Sequence, residues 1–562
     1  MAQSPQVGQR NSYGGALCTV RYIGEVAGTA GAWLGVEWDD ATRGKHDGSH
    51  KGVRYFSCLS GSPTAASFVR PTRPADRRQS FIGALREKYA SEAPQPGDAA
   101  AESQAVVISG KVAEEMGFDK IRRRLARVAD LRIVILDGMR VAAAAHDGEG
   151  RVADTCPGIA HLDLSRNLFE RLGPVVDICA QLPALRRLSL NGNRFQGVLG
   201  DDALDGAAAA FPRVDELALG ETLLGWEELC RIATRCPSLT TWAVGANRLS
   251  SLPFVDYAGL AFTLTSINLE YNDFNAISDL ASLTGLVALR NLHLKGNNIV
   301  EMAAPDTTAP TFPPSVRYLD ISYNKIRDWS FVDALSTHFP GLAGLRIAHN
   351  PVYDSQDAEA KTHSTEESHM LTIGRFASLK SVNFTQVKPE DRRNAEVFYL
   401  SRIAKQLATV SESAEHTILA LHPRYAELCT LYGEPDVIRR DEVNPSFLEA
   451  RLVTVGFHCR GRGKKTWRIP KAFDIYSVRG VAGKLFGLSP LRVRLIWETG
   501  EWDPVANDDE QDVESSDEED EEEQARDGSG RWLPREIELK DGPKQLGYCV
   551  DGLDVIIRVE SA

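Results

Sequence analysis

Two stretches of the chain, LTSINLEYN at residues 264–272 and LRNLHLKGN at residues 289–297, share one nine-residue pattern. Apolar residues stand at positions 1, 4 and 6, and asparagine stands at position 9. Side chains alternate between the two faces of a strand, so positions 4 and 6 point to the same side. The asparagine lies where the chain turns, and its amide can hydrogen-bond to backbone groups of neighbouring turns. The pattern therefore predicts one strand of a stacked repeat.

The same pattern recurs along the middle of the chain. Five further copies keep the asparagine, at 159–167, 185–193, 239–247, 316–324 and 342–350. Three degenerate copies lack it, at 131–139, 214–222 and 379–387, the last with Phe384 at inward position 6. The steps between ninth positions from 167 to 350 are 25 to 29 residues, the range of leucine-rich repeats. Because only stacking buries the apolar face of each repeat, we predict an α/β leucine-rich-repeat solenoid over residues 113–410.

Two features of the solenoid follow from this register. Segment 223–238 has helical spacing and is expected to return the chain along the convex side, while helices at 118–130 and 388–406 are expected to cap the ends. For Arg122–Arg124, a solvated cap face is favoured over an anion site.

The strand positions between the inward residues should line the concave face and contact a protein, because they are polar and of both signs. They are His161, Asp163, Ser189, Ala218, Ala243, Asn268, Glu270, His293, Lys295, Asp320 and Arg346.

Residues 8–78 are rich in glycine and aromatic residues and predict a small all-β barrel. Its densest motif is Gly-Lys-His-Asp-Gly at 44–48, followed by Gly52 and by Arg-Tyr-Phe at 54–56. Glycines permit close approach of a ligand backbone, and the aromatic and basic neighbours suit an acidic peptide that ends in an aromatic residue. Trp38 is assigned to the barrel core. The candidate binding residues are Trp33, Gly44, Lys45, His46, Asp47, Gly48, Arg54 and Phe56.

The remaining segments are predicted to join these domains or to form a third one. A linker is expected at 79–112, flexible at 91–105, and a connector at 411–446. Residues 447–562 show the order β-β-α-β…β of an α+β, ubiquitin-like β-grasp domain. Twelve of the sixteen residues from Asp508 to Glu523 are acidic, so an insertion near 503–530 is expected to be disordered.

Composition narrows the function further. The formal net charge of -13 argues against nucleic acid as the main partner. The nine cysteines form no CxxC pair, which is typical of reduced thiols in the cytosol. We expect neither a secretion signal nor a membrane span. Gly463 to Thr466 resembles a P-loop ending, but it lies in a predicted hairpin, and no HExxH or GxSxG motif occurs. The sequence thus predicts a protein without catalytic residues, metal or cofactor.

Residues 20–58 resemble the CAP-Gly family, whose loop reads Gly-Lys-Asn-Asp-Gly and is followed by Gly-x-Arg-Tyr-Phe-x-Cys; His46 replaces the asparagine. This resemblance implies binding of the acidic, aromatic-ended tails of α-tubulin and of end-binding proteins, and we expect His46→Asn to tighten binding of the α-tubulin tail. The order CAP-Gly, leucine-rich repeats and ubiquitin-like domain resembles the tubulin-specific chaperone E family, the tubulin folding cofactors E. The resemblance implies assembly or disassembly of the α/β-tubulin heterodimer with tubulin cofactors B, C and D, in the cytoplasm and at the cytoskeleton.

Two other functions fit parts of the sequence. A microtubule-associated scaffold would also use a CAP-Gly domain, but no sustained heptads predict the coiled coils that such scaffolds carry. A proteasome adaptor would use the ubiquitin-like domain, which makes the proteasome a further candidate partner. Co-purification separates the three functions, because they predict soluble tubulin dimers, microtubule ends or proteasome subunits.

Overall fold

The computed structural model describes residues 4–90, 107–108, 111–112, 128–353, 365–437, 451–504 and 532–561. The chain divides into two compact units, Met1–Ile438 and Arg439–Ala562, and each is treated by itself below. Three predicted segments fall outside the described residues: the flexible linker at 91–105, the acidic insertion at 508–523, and the helix at 118–130 up to residue 127 with its arginine cluster.

The first unit begins with a small β domain. Strands β1 to β6 are Arg10–Tyr13, Ala16–Glu25, Ala32–Trp38, Ser49–His50, Val53–Arg54 and Ala66–Val69. Four of them form an antiparallel sheet in the order β1-β2-β3-β6, while β4 and β5 pair as a separate short hairpin. Alternate strand residues fill the core, which includes Cys18, Val36 and Trp38. Trp38 is thus a core residue, as its position predicted.

The solenoid follows in the same unit. Its strands β7 to β21 are Gln79–Ser80, Val107–Ile108, Lys111–Val112, Ile133–Ile135, Val141–Ala143, His161–Asp163, Arg187–Ser189, Glu216–Ala218, Thr241–Ala243, Ser266–Asn268, Asn291–His293, Tyr318–Asp320, Gly344–Arg346, Ser381–Val382 and Thr385–Gln386. Eleven of them, β10 and β12 to β21, form one sheet. Its strands are parallel from β10 to β20, and β21 is antiparallel to β20. Equivalent positions of successive repeats pair directly, as Ile267 does with Leu292. The predicted repeat is therefore correct in register as well as in kind.

Short helices cover the opposite side of the solenoid and its end. The α-helices α1 to α10 of this unit are Phe81–Leu85, Val152–Thr155, Gly173–Cys179, Trp226–Ala233, Leu260–Thr263, Trp329–His338, Thr365–Arg375, Pro389–Leu407, Glu415–Leu419 and Tyr425–Tyr432. In other repeats, 3-10 helix takes the place of an α-helix. Most of these segments are single turns, and the one at Ile277–Gly285 has nine residues. The helical segment predicted at 223–238 contains α4, and the one predicted at 388–406 is α8.

The asparagine at position 9 holds neighbouring repeats together. Asn272 is 3% exposed, and its Nδ2 donates to the carbonyls of Leu269 and Val244, at 3.0 and 3.2 Å. Its Oδ1 accepts from the N–H groups of Asn247 and Leu249, at 2.9 and 3.1 Å. One side chain thus satisfies four buried polar groups that the turn would otherwise leave unpaired. The predicted hydrogen bonds between turns are confirmed.

The beginning and end of the solenoid differ from the prediction. Residues 79–90, assigned to the linker, instead form β7, α1 and a π-helical turn, and the linker prediction is wrong there. Phe81, Ile82 and Leu85 are fully buried in the solenoid core, and β7 pairs in parallel with β11. At the other end, Phe384 is 72% exposed instead of inward, because β20 turns back into antiparallel β21 and stops the repeat.

The C-terminal cap extends past residue 410. Helices α9 and α10 pack on α8 around Tyr399, Ile403 and Leu428, so residues 415–432 are part of this cap instead of a connector. A buried polar network lies beneath them. His422 Nδ1 lies 2.9 Å from the Tyr399 hydroxyl, and its Nε2 lies 2.6 Å from Gln406 Oε1.

The second unit is a mixed five-stranded sheet with one long helix. Strands β22 to β26 are Leu452–Cys459, Gly463–Pro470, Val493–Pro504, Trp532–Glu538 and Asp554–Ser561, and helix α11 is Ile475–Phe486. The strand order is β23-β22-β26-β24-β25, with β22 parallel to β26. Ile475, Val478, Ala482 and Phe486 of the helix are buried in the core of this unit. The hairpin, the helix and the strands β24 and β26 lie where the sequence predicted them, whereas β25 at Trp532–Glu538 was not located from the sequence.

Candidate protein-binding surfaces

Residues 44–48 form a tight loop beside the edge strand β6. Lys45 N–H donates to the carbonyl of Ala66 at 2.7 Å, and Ala66 N–H donates to the carbonyl of His46 at 2.8 Å. A Cβ atom on Gly44 would lie 2.1 Å from the Thr64 carbonyl oxygen, so no other residue fits there. Gly48 has φ 98° and a similar close approach to the Phe56 carbonyl. The glycines thus bring this loop against β6.

An aromatic cluster lies beside the loop, with Phe68 of β6 at its centre. The His46 ring stacks on Phe68 at 4.8 Å between centroids, and Phe56 meets it edge-on at 5.9 Å. Tyr22, His50 and Tyr55 also contact Phe68 edge-on. The cluster offers both ring faces and ring edges to an aromatic ligand residue. Sequence analysis missed Phe68 because it lies beyond the glycine motif. Its position in strand β6 is the one signal that could have placed it on the same face as the motif.

The charges of the loop are not equivalent. Arg54 Nη2 lies 2.6 Å from Asp47 Oδ2, and this hydrogen bond holds the pKa of Asp47 below its ordinary value. Arg54 is thus partly neutralised. Lys45 is exposed and has no ion pair among the residues that the structure describes. Lys45 is therefore the cation of this loop that is available to an acidic ligand.

His46 serves the loop itself. Its Nδ1 accepts the Gly48 N–H at 3.1 Å, so the neutral ring carries its proton on Nε2. Burial lowers the pKa of His46, which favours this neutral form. An asparagine Oδ1 can accept the same N–H, so the replacement at position 46 keeps the hydrogen bond of the loop.

Trp33 is the one predicted groove residue whose ring lies outside the cluster around Phe68. Its indole Nε1 donates to Thr29 Oγ1 at 2.8 Å, and Arg70 lies over its ring at 3.6 Å. This stacked pair forms the end of the β2–β3 hairpin. Gly44, Lys45, His46, Asp47, Gly48, Arg54 and Phe56 are brought together as predicted from the sequence.

The N-terminal domain is docked on the solenoid through a buried arginine. Both terminal guanidinium nitrogens of Arg10, Nη1 and Nη2, donate to the Asp39 carboxylate at 2.6 Å, and Nη2 also donates to the carbonyl of Asn167. Burial alone would raise the pKa of Asp39, but Arg10 holds it below the ordinary value. Glu170 of the solenoid accepts from the Arg10 backbone N–H and from Arg78. The two domains therefore share one ionic network, which sequence analysis did not predict.

Two further contacts widen this interface. Gln196 donates to the carbonyl of Gly8, and Arg248 donates to the carbonyl of Leu59 at 2.8 Å. Between the domains lies a cleft of about 560 Å³, lined by Gly14, Gly15, Ala16, Leu17, Asp39, Asp40, Arg43, Arg166, Gly192, Arg194 and Glu221. The domain thus covers the turns that follow the strands in the repeats from Asn167 to Asn247.

The predicted concave-face residues form lateral rows across the parallel strands. Asn268, His293, Asp320 and Arg346 are direct neighbours in one row. They are half-buried except for Asp320, which is only 2% exposed because its carboxylate accepts from Ser322 and pairs with Arg346. Asp320 was expected to be exposed on the concave face. It is instead buried, and its carboxylate forms an ion pair with Arg346. The face at these repeats is polar and nearly balanced in charge.

One cluster in these rows has a metal-like composition. Ligand atoms of Glu270, His293 and Asp320 lie within 4.8 Å of one another. A divalent cation accepts such a donor set. However, Ser322 and Arg346 already occupy the Asp320 oxygens, and Lys295 adds positive charge next to Glu270. These competing groups argue against a metal ion at this cluster.

Comparison with known proteins matches these features. Residues 7–74 match the CAP-Gly domain family, so the fold and the glycine loop define a CAP-Gly protein with a leucine-rich-repeat solenoid. The chain is 30% identical to tubulin-specific chaperone E of Pongo abelii, covering 91% of this chain and 95% of that protein. The Homo sapiens relative of the same name is 30% identical, and the match covers 88% of this chain and 92% of that protein. Tubulin-folding cofactor E of Arabidopsis thaliana is 26% identical, and the match covers 88% of this chain and 91% of that protein.

The chain belongs to the tubulin-specific chaperone E family. The likeness extends over nearly the whole length of the relatives, so it includes the solenoid and the second unit as well as the CAP-Gly domain. Within the described residues, no helix is both long enough and apolar enough to cross a membrane.

Proposed function

We propose that this chain binds α-tubulin and takes part in assembling or disassembling the α/β-tubulin heterodimer, without catalysing a reaction itself. The observation that carries the proposal is the loop at 44–48, where an exposed lysine stands beside an aromatic cluster. The family names of the relatives support the same function.

The acidic tail of α-tubulin is the proposed ligand of this groove. Lys45 would pair with tail carboxylates, and the rings around Phe68 would hold the terminal aromatic residue. Gly44 and Gly48 let the ligand backbone approach, while His46, Asp47 and Arg54 fix the loop. Trp33 and Phe56 complete the proposed binding set.

The other parts of the chain receive supporting roles. The concave face, with the residues predicted above, is proposed to hold the folded part of tubulin. In the second unit, the first strand lies parallel to the last, next to the central helix, which supports a ubiquitin-like domain. We propose that this domain docks tubulin cofactors B, C or D, in the cytoplasm and near the cytoskeleton.

A Lys45→Ala variant tests the groove. We expect it to weaken binding of a synthetic acidic peptide ending in tyrosine by about tenfold at low salt, and by less at high salt, because the contact is ionic. Lys325→Ala, which removes an exposed lysine from the solenoid, is the matched control and should bind as the wild type does. Equal titration curves for wild type and Lys45→Ala would refute the assignment.

A further inference from the structure

Position 8 of the repeat forms a continuous rim beside the concave face. These residues directly precede the ninth position of the pattern and share a left-handed backbone, with φ between 48° and 72°. They are Arg166, Gly192, Glu221, Ala246, Tyr271, Gly296, Tyr323 and His349. The N-terminal domain covers the first part of this rim, since Arg166, Gly192 and Glu221 line the cleft beneath it. The rim from Tyr271 onward lies beyond the contact that Arg248 makes with that domain.

The part of the rim from Tyr271 onward carries an ordered array of rings and cations. Lys295 Nζ lies 5.7 Å from the Tyr271 ring and 5.0 Å from the Tyr323 ring, so it stands between two tyrosines of flanking repeats. His349 lies against Tyr323 at 4.1 Å. At the end of the array, Arg346 lies 4.5 Å from the Phe384 ring. We call these six residues the aromatic rim.

The aromatic rim is exposed and yet held in place. Tyr271 is 55% exposed, Tyr323 46% and Phe384 72%. The Tyr271 ring lies across Gly296, where a Cβ atom would come within 2.5 Å of it. Cation–π contacts already fix the rings, so little side-chain entropy remains to be lost on binding. Contiguous exposed aromatic surface of this kind marks a protein interface.

We propose that the aromatic rim binds the folded body of the tubulin subunit whose tail occupies the CAP-Gly groove. This inference rests on the proposed function. The rim continues the same line of turns on which the CAP-Gly domain is docked, so one ligand can occupy the groove with its tail and the rim with its folded body. Glu270 and Asp320 balance the charges of Lys295 and Arg346, which favours a folded protein surface over an acidic peptide.

The test compares two double variants in the full chain. Tyr271→Ala with Tyr323→Ala removes the centre of the aromatic rim, and Phe254→Ala with Phe262→Ala removes two phenylalanines elsewhere that are 78% and 76% exposed. Affinity is measured for purified α/β-tubulin heterodimer and for the isolated tail peptide. We expect the rim variant to lose at least about tenfold in heterodimer affinity and to keep its peptide affinity, since buried aromatic contacts dominate interfaces. The control should match the wild type in both assays.

Each other outcome has a defined meaning. Unchanged heterodimer binding by the rim variant, with thermal unfolding like the wild type, overturns the proposal. Loss of peptide affinity in the rim variant also overturns it and assigns the rim to the acidic tail. A wild-type chain that binds heterodimer but not peptide refutes the groove alone, and the rim is still judged by the heterodimer comparison.

Discussion

At the scale of single residues, the buried asparagines do most to define this molecule. Asn167, Asn193 and Asn350 are fully buried, and each donates Nδ2 to a carbonyl of the preceding repeat as well as to its own turn. A buried amide is favourable only when its polar atoms are paired, which explains why position 9 accepts so few residues. In the degenerate repeat at 214–222, Thr222 stands at position 9 in place of asparagine. Its hydroxyl donates to the Leu219 carbonyl and to Asn247 Oδ1.

This hydrogen bonding predicts the cost of losing one asparagine. Asn272→Ala leaves two carbonyls and two N–H groups without their partner, so we expect the free energy of unfolding to fall by about 3 kcal/mol. Chemical denaturation measures it. Asn275→Ala, at an exposed position three residues on, should change stability by no more than about 0.5 kcal/mol. Similar values for the two variants would contradict the role of the ladder.

At the scale of elements, the repeat strands could be predicted, and the ends of the solenoid only in part, through helix α8. A strand repeated at nearly constant spacing can be recognised in the sequence, because each copy must place apolar residues at the same buried positions. Helix α1 has only five residues and no periodicity of its own, and its apolar side chains are explained only by the first repeat that they cover. For the same reason the cap helices α9 and α10 resembled a connector. The aromatic cluster was incomplete because Phe68 belongs to a different strand from the motif.

The cap at the C-terminal end predicts a pH dependence of stability. Burial and, after it, the charge of Arg375 lower the pKa of His422 to about 4, from an ordinary 6.5. The unfolded chain therefore binds a proton more readily than the folded chain between these values, and stability falls as pH decreases from 6.5 towards 4. We expect a loss of about 2 kcal/mol over this window.

Comparison of slopes isolates this histidine from the carboxylates. In His422→Gln the free energy of unfolding should depend less steeply on pH between 6.5 and 5, whatever its absolute value. His416→Gln, on the exposed side of α9, should keep the wild-type slope. Identical slopes in all three chains would assign the pH dependence to other groups.

At the scale of the whole molecule, one ionic network makes the CAP-Gly domain and the solenoid a single unit. Arg10 is fully buried, and its partners Asp39 and Asn167 belong to different domains. A contact between residues so far apart leaves no periodic signal in the sequence, which is why a linker was expected between the two domains and this interface was not. The structure instead fixes the CAP-Gly domain on the turns of the repeats.

Removing this arginine should separate the two domains energetically. Arg10→Met leaves Asp39 of the same domain buried without its cation and removes the hydrogen bond to the Asn167 carbonyl of the solenoid, so we expect the CAP-Gly domain together with its contact to the solenoid to lose about 3 kcal/mol. Calorimetry should then resolve an earlier transition for the CAP-Gly domain, while Arg77→Met, at an exposed position of the same domain, should unfold like the wild type. A single, unshifted transition for Arg10→Met would show that the network does not hold the domains together.

The same network sets an order of events during synthesis. Asn167 follows Arg10 by 157 residues and Glu170 follows it by 160. At about 5 to 20 residues per second, a ribosome needs about 8 to 30 s to cover that distance. All residues of the glycine loop and its aromatic cluster precede Val69, so the groove can be complete on the nascent chain well before the solenoid exists. The docking face of the CAP-Gly domain is therefore the last part of that domain to be covered.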